Sequence, residues 1–245
     1  MEEKQKEIPM RNSGNQFVNI LKVVGFIILA ITPASFSDIF IWASHEYHLP
    51  IWVQAIIFVI FLALYFILIR FFWNRYKTYS GERIKRIHLK DVGFMVLFFV
   101  IIQVIAYLGT TLNNMFTGNK TTGNDNAIFQ LANYSDSFLP FLTLILSISI
   151  VAPILEEITF RGIITSKLFK YGRMWLPLIV SSIIFGSLHI LQAPTEFFSF
   201  LLYTCMGAIF YLAYARRHNI LDSILVHFLN NLLPAISLLL IYFFL

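Results

Sequence analysis

Cysteine is almost missing from this chain. The single Cys205 sits in an apolar stretch with no second thiol, which excludes an intrachain disulfide and any CxxC metal site. Charge is scarce as well. Asp, Glu, Lys and Arg make up 13% of the 245 residues, too few to cover a water-soluble surface. The sequence has no GxSG serine motif, no GxGD aspartyl segment and no HExxH helix. It also lacks a phosphate loop, a dinucleotide fingerprint and an EF-hand pattern. No small-x-small cleavage site follows the first apolar stretch, so that stretch is expected to stay in place as a signal anchor.

What is abundant is grease. Hydrophobic residues make up 58% of the chain and mean hydropathy is +0.74, and several runs approach the ~20 apolar residues that span a bilayer. The expected fold is all-α, a polytopic transmembrane helical bundle of about seven spans in a cell membrane. The net charge of +5 does not point to nucleic acid, because the basic residues cluster beside hydrophobic runs as in cytoplasmic loops.

In chain order, residues 1–16 read as a cytoplasmic tail, and residues 17–245 as one transmembrane domain whose chemistry lies within 138–245. Spans are expected over about 17–43 (interrupted near Pro33), 51–72, 92–112, 138–169, 175–191, 197–214 and 220–245. Pro234 is expected to kink or break the last, leaving open whether it is one span or two. Segment 75–90 is strongly basic and is placed in the cytoplasm, with Trp73 and Tyr76 as an interfacial aromatic belt. Segment 113–137, rich in Asn, Thr and Gly, reads as a mobile outer loop. Basic turns at Lys167, Lys170 and Arg173 and at Arg216 and Arg217 complete an alternation with the N-terminus inside.

Three segments break the apolar pattern. Glu156, Glu157 and Arg161 lie within 138–169; Phe185 and His189 share one face of the next span; His227 and Asn231 share a face of the last. Ionisable groups inside a bilayer are costly and usually functional. Counted from the basic anchors Lys170 and Arg217, and from Trp175, the four groups Glu156, His189, His227 and Asn231 lie roughly 15–21 Å in at 1.5 Å per residue. Glu157 and Arg161 are one turn apart and can pair, leaving Glu156 free as a base; the two glutamates can also exchange roles.

The segments EEITFR, FGSLH and HFLNN resemble the EExxxR, FxxxH and HxxxN/D motifs of the CAAX-protease and bacteriocin-processing (CPBP, or Abi) family of intramembrane proteases. The match covers about a third of the chain, with no family signature in the first three spans. The resemblance implies an endopeptidase acting on a small hydrophobic, membrane-associated or lipidated peptide. Such enzymes trim prenylated CAAX ends or, in bacteria, process peptide pheromones and serve bacteriocin immunity. It implies that Glu156 and His189 activate a water and that His227 and Asn231 bind the oxyanion. Arg161 would support the carboxylate pair, and Phe185 would shape the substrate pocket. In the metal version, Glu156, His189 and His227 would hold Zn2+ with a fourth position for water. The residues do not choose between the two, and the metal-independent route is slightly favoured. The site is expected to open towards the cytoplasm. A proton-coupled transporter and a non-catalytic immunity or scaffold protein are the alternatives. Asn230 is read as a helix-packing residue, and His45, His48, His88 and His218 as surface or anchor residues.

Overall fold

The structure, a computed structural model, describes residues 15–169 and 175–244. Most of the tail 1–16 and the anchors Lys170 and Arg173 lie outside the described residues.

Long apolar runs without internal caps dictate long helices, and these form. They are α1 (Gln16–Glu46), α2 (Ile51–Ser80), α3 (Leu89–Thr117), α4 (Gly123–Tyr134), α5 (Phe138–Leu168), α6 (Trp175–His189), α7 (Phe197–Ala215) and α8 (Ile220–Phe244). Six are long and apolar enough to cross a membrane, and α6 is a shorter apolar helix of 15 residues. The chain is a multi-pass helical membrane protein. Large apolar side chains such as Ile56, Phe66 and Val104 stand fully out on α2 and α3, where lipid rather than protein covers them. The most enclosed span is α5, which carries both glutamates.

Local chemistry sets the helix ends. Gly81 and Gly118 adopt positive φ and close α2 and α3 in left-handed caps. His88 and Asp91 make a reciprocal capping box at the start of α3. The prolines do not break their helices: α1 runs through Pro33 and α8 through Pro234, so the last segment is one helix.

Two expectations are corrected. Segment 113–137 is not a plain loop: it finishes α3 and then forms α4. Thr122 caps α4 by accepting from Asp125 N at 3.1 Å, and Glu196 accepts from Gly123 N at 3.0 Å. Tyr76 is not an interfacial belt residue. It is fully buried, its ring fills the space where Gly162 lacks a side chain, and its hydroxyl donates to Glu82 at 2.7 Å. Residues 81–88 form no helix, and they are stapled to the turn between α7 and α8. There Arg216 and Arg217 bridge Asp91 and Asp222, and Asn219 bonds the backbone of Lys85. The Asp222 carboxylate beside Arg217 holds that guanidinium above its usual range.

Candidate active site

The site is built on an irregularity in α5. Residues Ser147–Val151 and Ile158–Ile163 are π-helical, with i→i+5 bonds such as Ala152 N to Ser147 O. The matching partner for Ile148 O would be the N–H of residue 153, but Pro153 has none. The Ile148 carbonyl therefore turns outward and accepts from Asn231 Nδ2 of α8 at 2.9 Å.

The second π segment follows Glu157 directly. Glu157 is fully buried. One carboxylate oxygen faces Arg161 Nε at 3.1 Å and accepts from the Ser223 hydroxyl, and the other meets His227 Nδ1 at 2.8 Å. Ser223 and His227 are one turn apart on α8, so one face of that helix grips the carboxylate twice. Arg161 is also fully buried. Its Nη2 donates to Gly207 O at 2.7 Å, and its guanidinium lies 5.1–5.6 Å from the rings of Phe160, Phe185 and Phe210. Three aromatic faces thus replace water around this cation.

Glu156 points elsewhere. Its buried Oε2 has no hydrogen-bond partner, and His227 Nε2 lies 3.9 Å away, too far for a direct bond. With Glu157 accepting at Nδ1, that nitrogen carries a proton and Nε2 is the atom turned to Glu156. The His227 ring lies flat on Phe210, with centroids 4.3 Å apart.

His189 ends α6. Its Nδ1 donates to Phe185 O at 2.9 Å, which leaves Nε2 as an acceptor, and its ring sits between Phe185 and Tyr203. The Tyr203 hydroxyl in turn bonds Thr122 and Asp125 of α4. Burial raises the Asp125 carboxyl above the usual range.

A cavity of about 250 Å³ joins these groups. His189, His227, Asn231 and Phe185 line it, as do Leu202, Met206 and Leu233, while the two glutamates stand behind the wall. Asn124, Asp125 and Ile128 of α4 also contribute, so the cavity extends towards the segment assigned to the outer side.

The structure therefore joins Glu156, Glu157 and Arg161 with His227, and His227 with His189 and Asn231 around one cavity. It does not bring Glu156 onto His189, whose hydrogen bond goes to its own helix. Among the described residues, no three His, Cys, Asp or Glu side chains gather closely enough to hold a metal, so Glu156, His189 and His227 do not form a ligand set. Sequence reasoning missed Ser223, Tyr203 and Gln103. Only Ser223 left a signal, lying one turn before His227. Asn230 was read as packing, yet it lines the cavity and bonds both Gln103 and Asn231.

Comparison with known proteins agrees with the motifs. Residues 138–233 match the family described as type II CAAX prenyl endopeptidase Rce1-like, a stretch holding all six polar site residues named from the sequence. Over 160 residues the chain is 29% identical to YdiL of Bacillus subtilis, named a candidate membrane peptidase. It is 30% identical over 146 residues to the membrane-embedded CAAX protease MroQ of Staphylococcus aureus, and 31% over 149 residues to the UPF0177 protein YaiH of Lactococcus lactis. These matches cover 63%, 57% and 60% of this chain, and 61%, 53% and 58% of the relatives' own lengths. No solved structure matches it. With bacterial relatives and six spanning helices, the chain is a multi-pass protein of a bacterial cell membrane.

Proposed function

We propose that this chain, whose segment 138–233 matches the Rce1-like family, is an intramembrane endopeptidase of the CAAX-protease and bacteriocin-processing kind. Its substrate class is a small hydrophobic peptide, membrane-associated or lipidated. The observation that carries the reading is the unpartnered Glu156 oxygen facing His227 Nε2, beside a cavity that also holds His189 and Asn231. A carboxylate oxygen buried without a donor is costly unless something fills the gap. A water between Glu156 and His227 would satisfy both groups and stand ready to attack.

Glu156 takes the proton of that water as its oxygen bonds to the scissile carbonyl carbon. The developing oxyanion accepts from Asn231 Nδ2 and from protonated His227 Nε2, whose imidazolium is supported through Nδ1 by Glu157. Glu156 then returns the proton to the leaving amine as the C–N bond breaks. His189 Nε2 faces the peptide from the far wall as an acceptor. Arg161 holds the charge of Glu157 and so fixes which glutamate is free. The mixed wall of Leu202, Met206 and Leu233 with the Asn and His groups suits an apolar side chain next to a peptide bond. The name of the Staphylococcus aureus relative supports CAAX-type substrates, and processing of a bacterial peptide pheromone or a bacteriocin-linked role fits the same chemistry. Because the metal set does not gather, no step is assigned to a metal.

The test compares membrane-peptide termini by mass spectrometry in cells carrying wild type or Glu156→Gln at equal expression. Termini present with wild type and lost in the variant are expected. Identical termini in both would sink the protease reading.

A further inference from the structure

Asn231 is not held alone. A line of carboxamides runs from α3 to α5: Gln103 Nε2 donates to Asn230 Oδ1 at 3.1 Å, Asn230 Nδ2 donates to Asn231 Oδ1 at 3.1 Å, and Asn231 Nδ2 donates to Ile148 O at 2.9 Å. The far end fixes the direction. A backbone carbonyl can only accept, so Asn231 must turn its amino group to Ile148 and its oxygen to Asn230. Asn230 must then donate, and its own oxygen must look to Gln103. A flipped Asn231 would set oxygen against oxygen at Ile148 and amino group against amino group at Asn230. Each amino group in the line spends one N–H on its neighbour and keeps a second. Gln103, Asn230 and Asn231 all line the cavity.

We infer that Gln103 and Asn230 are positioning residues that lock the Asn231 carboxamide with its spare N–H towards the substrate oxyanion. The inference rests on the protease reading and deepens it. It gives α3, which carries no family motif and lies outside the matched segment 138–233, a part in the reaction. A carboxamide free to flip would present an acceptor to a negative charge half of the time, and the preorganisation that makes such a donor effective would be lost.

The test uses full-length protein in cell membranes, with the rate at which wild-type-dependent peptide termini appear as the readout. Gln103→Met keeps the side-chain length but cannot donate; Asn230→Ala breaks the line in the middle. Each is expected to slow the reaction at least about tenfold at unchanged protein level and thermal midpoint. Asn231→Ala is expected to slow it by about a hundredfold or more. On the Asn231→Ala background, either change should add less than about twofold, because the group they position is gone. A wild-type rate in either single variant, or effects that simply multiply in the doubles, overturns the inference. If Gln103→Met fails to accumulate, Gln103→Glu decides, since its carboxylate also cannot donate and must show the same loss. Full activity in Asn231→Ala would instead remove the oxyanion role underneath. Wild-type cells without dependent termini would remove the protease reading itself.

Discussion

Glu157 is held by three side chains from two helices, and the Oε2 of Glu156 by none. Two identical neighbours in sequence therefore respond differently to the same change. Glu156→Gln should leave the thermal midpoint in detergent near wild type and remove cleavage. Glu157→Gln leaves Arg161 buried without a counter-charge, which costs about 3–5 kcal/mol, and should lower that midpoint sharply. Equal destabilisation by both would mean that the pair acts as one structural unit. The Glu157–Arg161 pairing was readable from the i, i+4 spacing, since π-helical distortion at Ile158–Ile163 still leaves the ends 3.1 Å apart. The grip of Ser223 left only its place one turn before His227 as a signal, because a serine in an apolar helix usually bonds its own backbone. Gln103 was invisible for another reason: its partner lies 127 positions away on α8.

Among the elements, α5 owes its function to its departure from α-geometry. Pro153→Ala restores an N–H five residues after Ile148, which can claim the carbonyl that now orients Asn231. This variant should fold at least as stably as wild type and cleave more slowly; an unchanged rate would show that Asn231 does not need that carbonyl. The α6–α7 pair is set by another absent group. A Cβ on Gly186 would lie 2.2 Å from Thr204 Oγ1 and 3.0 Å from Phe200 O, so Gly186→Val should push α6 away and displace His189. A lowered thermal midpoint together with lost cleavage is the expected result. In α4, Asp125 has a carboxyl raised by burial, so its ionised form weakens the fold at neutral pH and its protonated form does not. Asp125→Asn should stabilise the protein at pH 7, with the gain fading as pH falls through the raised folded range towards about 4 and gone below it, where the unfolded carboxyl is also protonated. A gain that stays constant with pH would assign the effect to something other than this proton. The signal for α4 was in the sequence, as Thr122 followed three residues later by Asp125, but weak hydropathy and neighbouring glycines masked it. Long apolar runs gave α1 and α5 within about three residues, because lipid leaves the backbone no option but a helix, whereas α2 and α3 run eight and five residues past their expected ends into polar sequence.

Across the whole molecule, charge divides the two ends. The basic segment 75–90 and the Arg216–Arg217 turn are tied together at the start of α3, and α4, which helps to line the cavity, follows the opposite end of α3. In a chain with the exposed Cys205 replaced by alanine, Lys120→Cys should react with a membrane-impermeant thiol reagent in intact cells, and Arg83→Cys only after permeabilisation. The opposite pattern would invert the protein in the membrane.

The grip of α8 on α5 also sets an order of events at the ribosome. Arg161 and Glu157 enter the bilayer with α5, while Ser223, His227 and Asn231 arrive later, with α8. Until then the nascent chain carries a carboxylate with one of its three side-chain partners and an Ile148 carbonyl without the Asn231 donor. A truncated chain ending before α8 keeps all of the costly groups and, of those that satisfy them, only Arg161. It is therefore the form that a membrane quality-control protease should remove first.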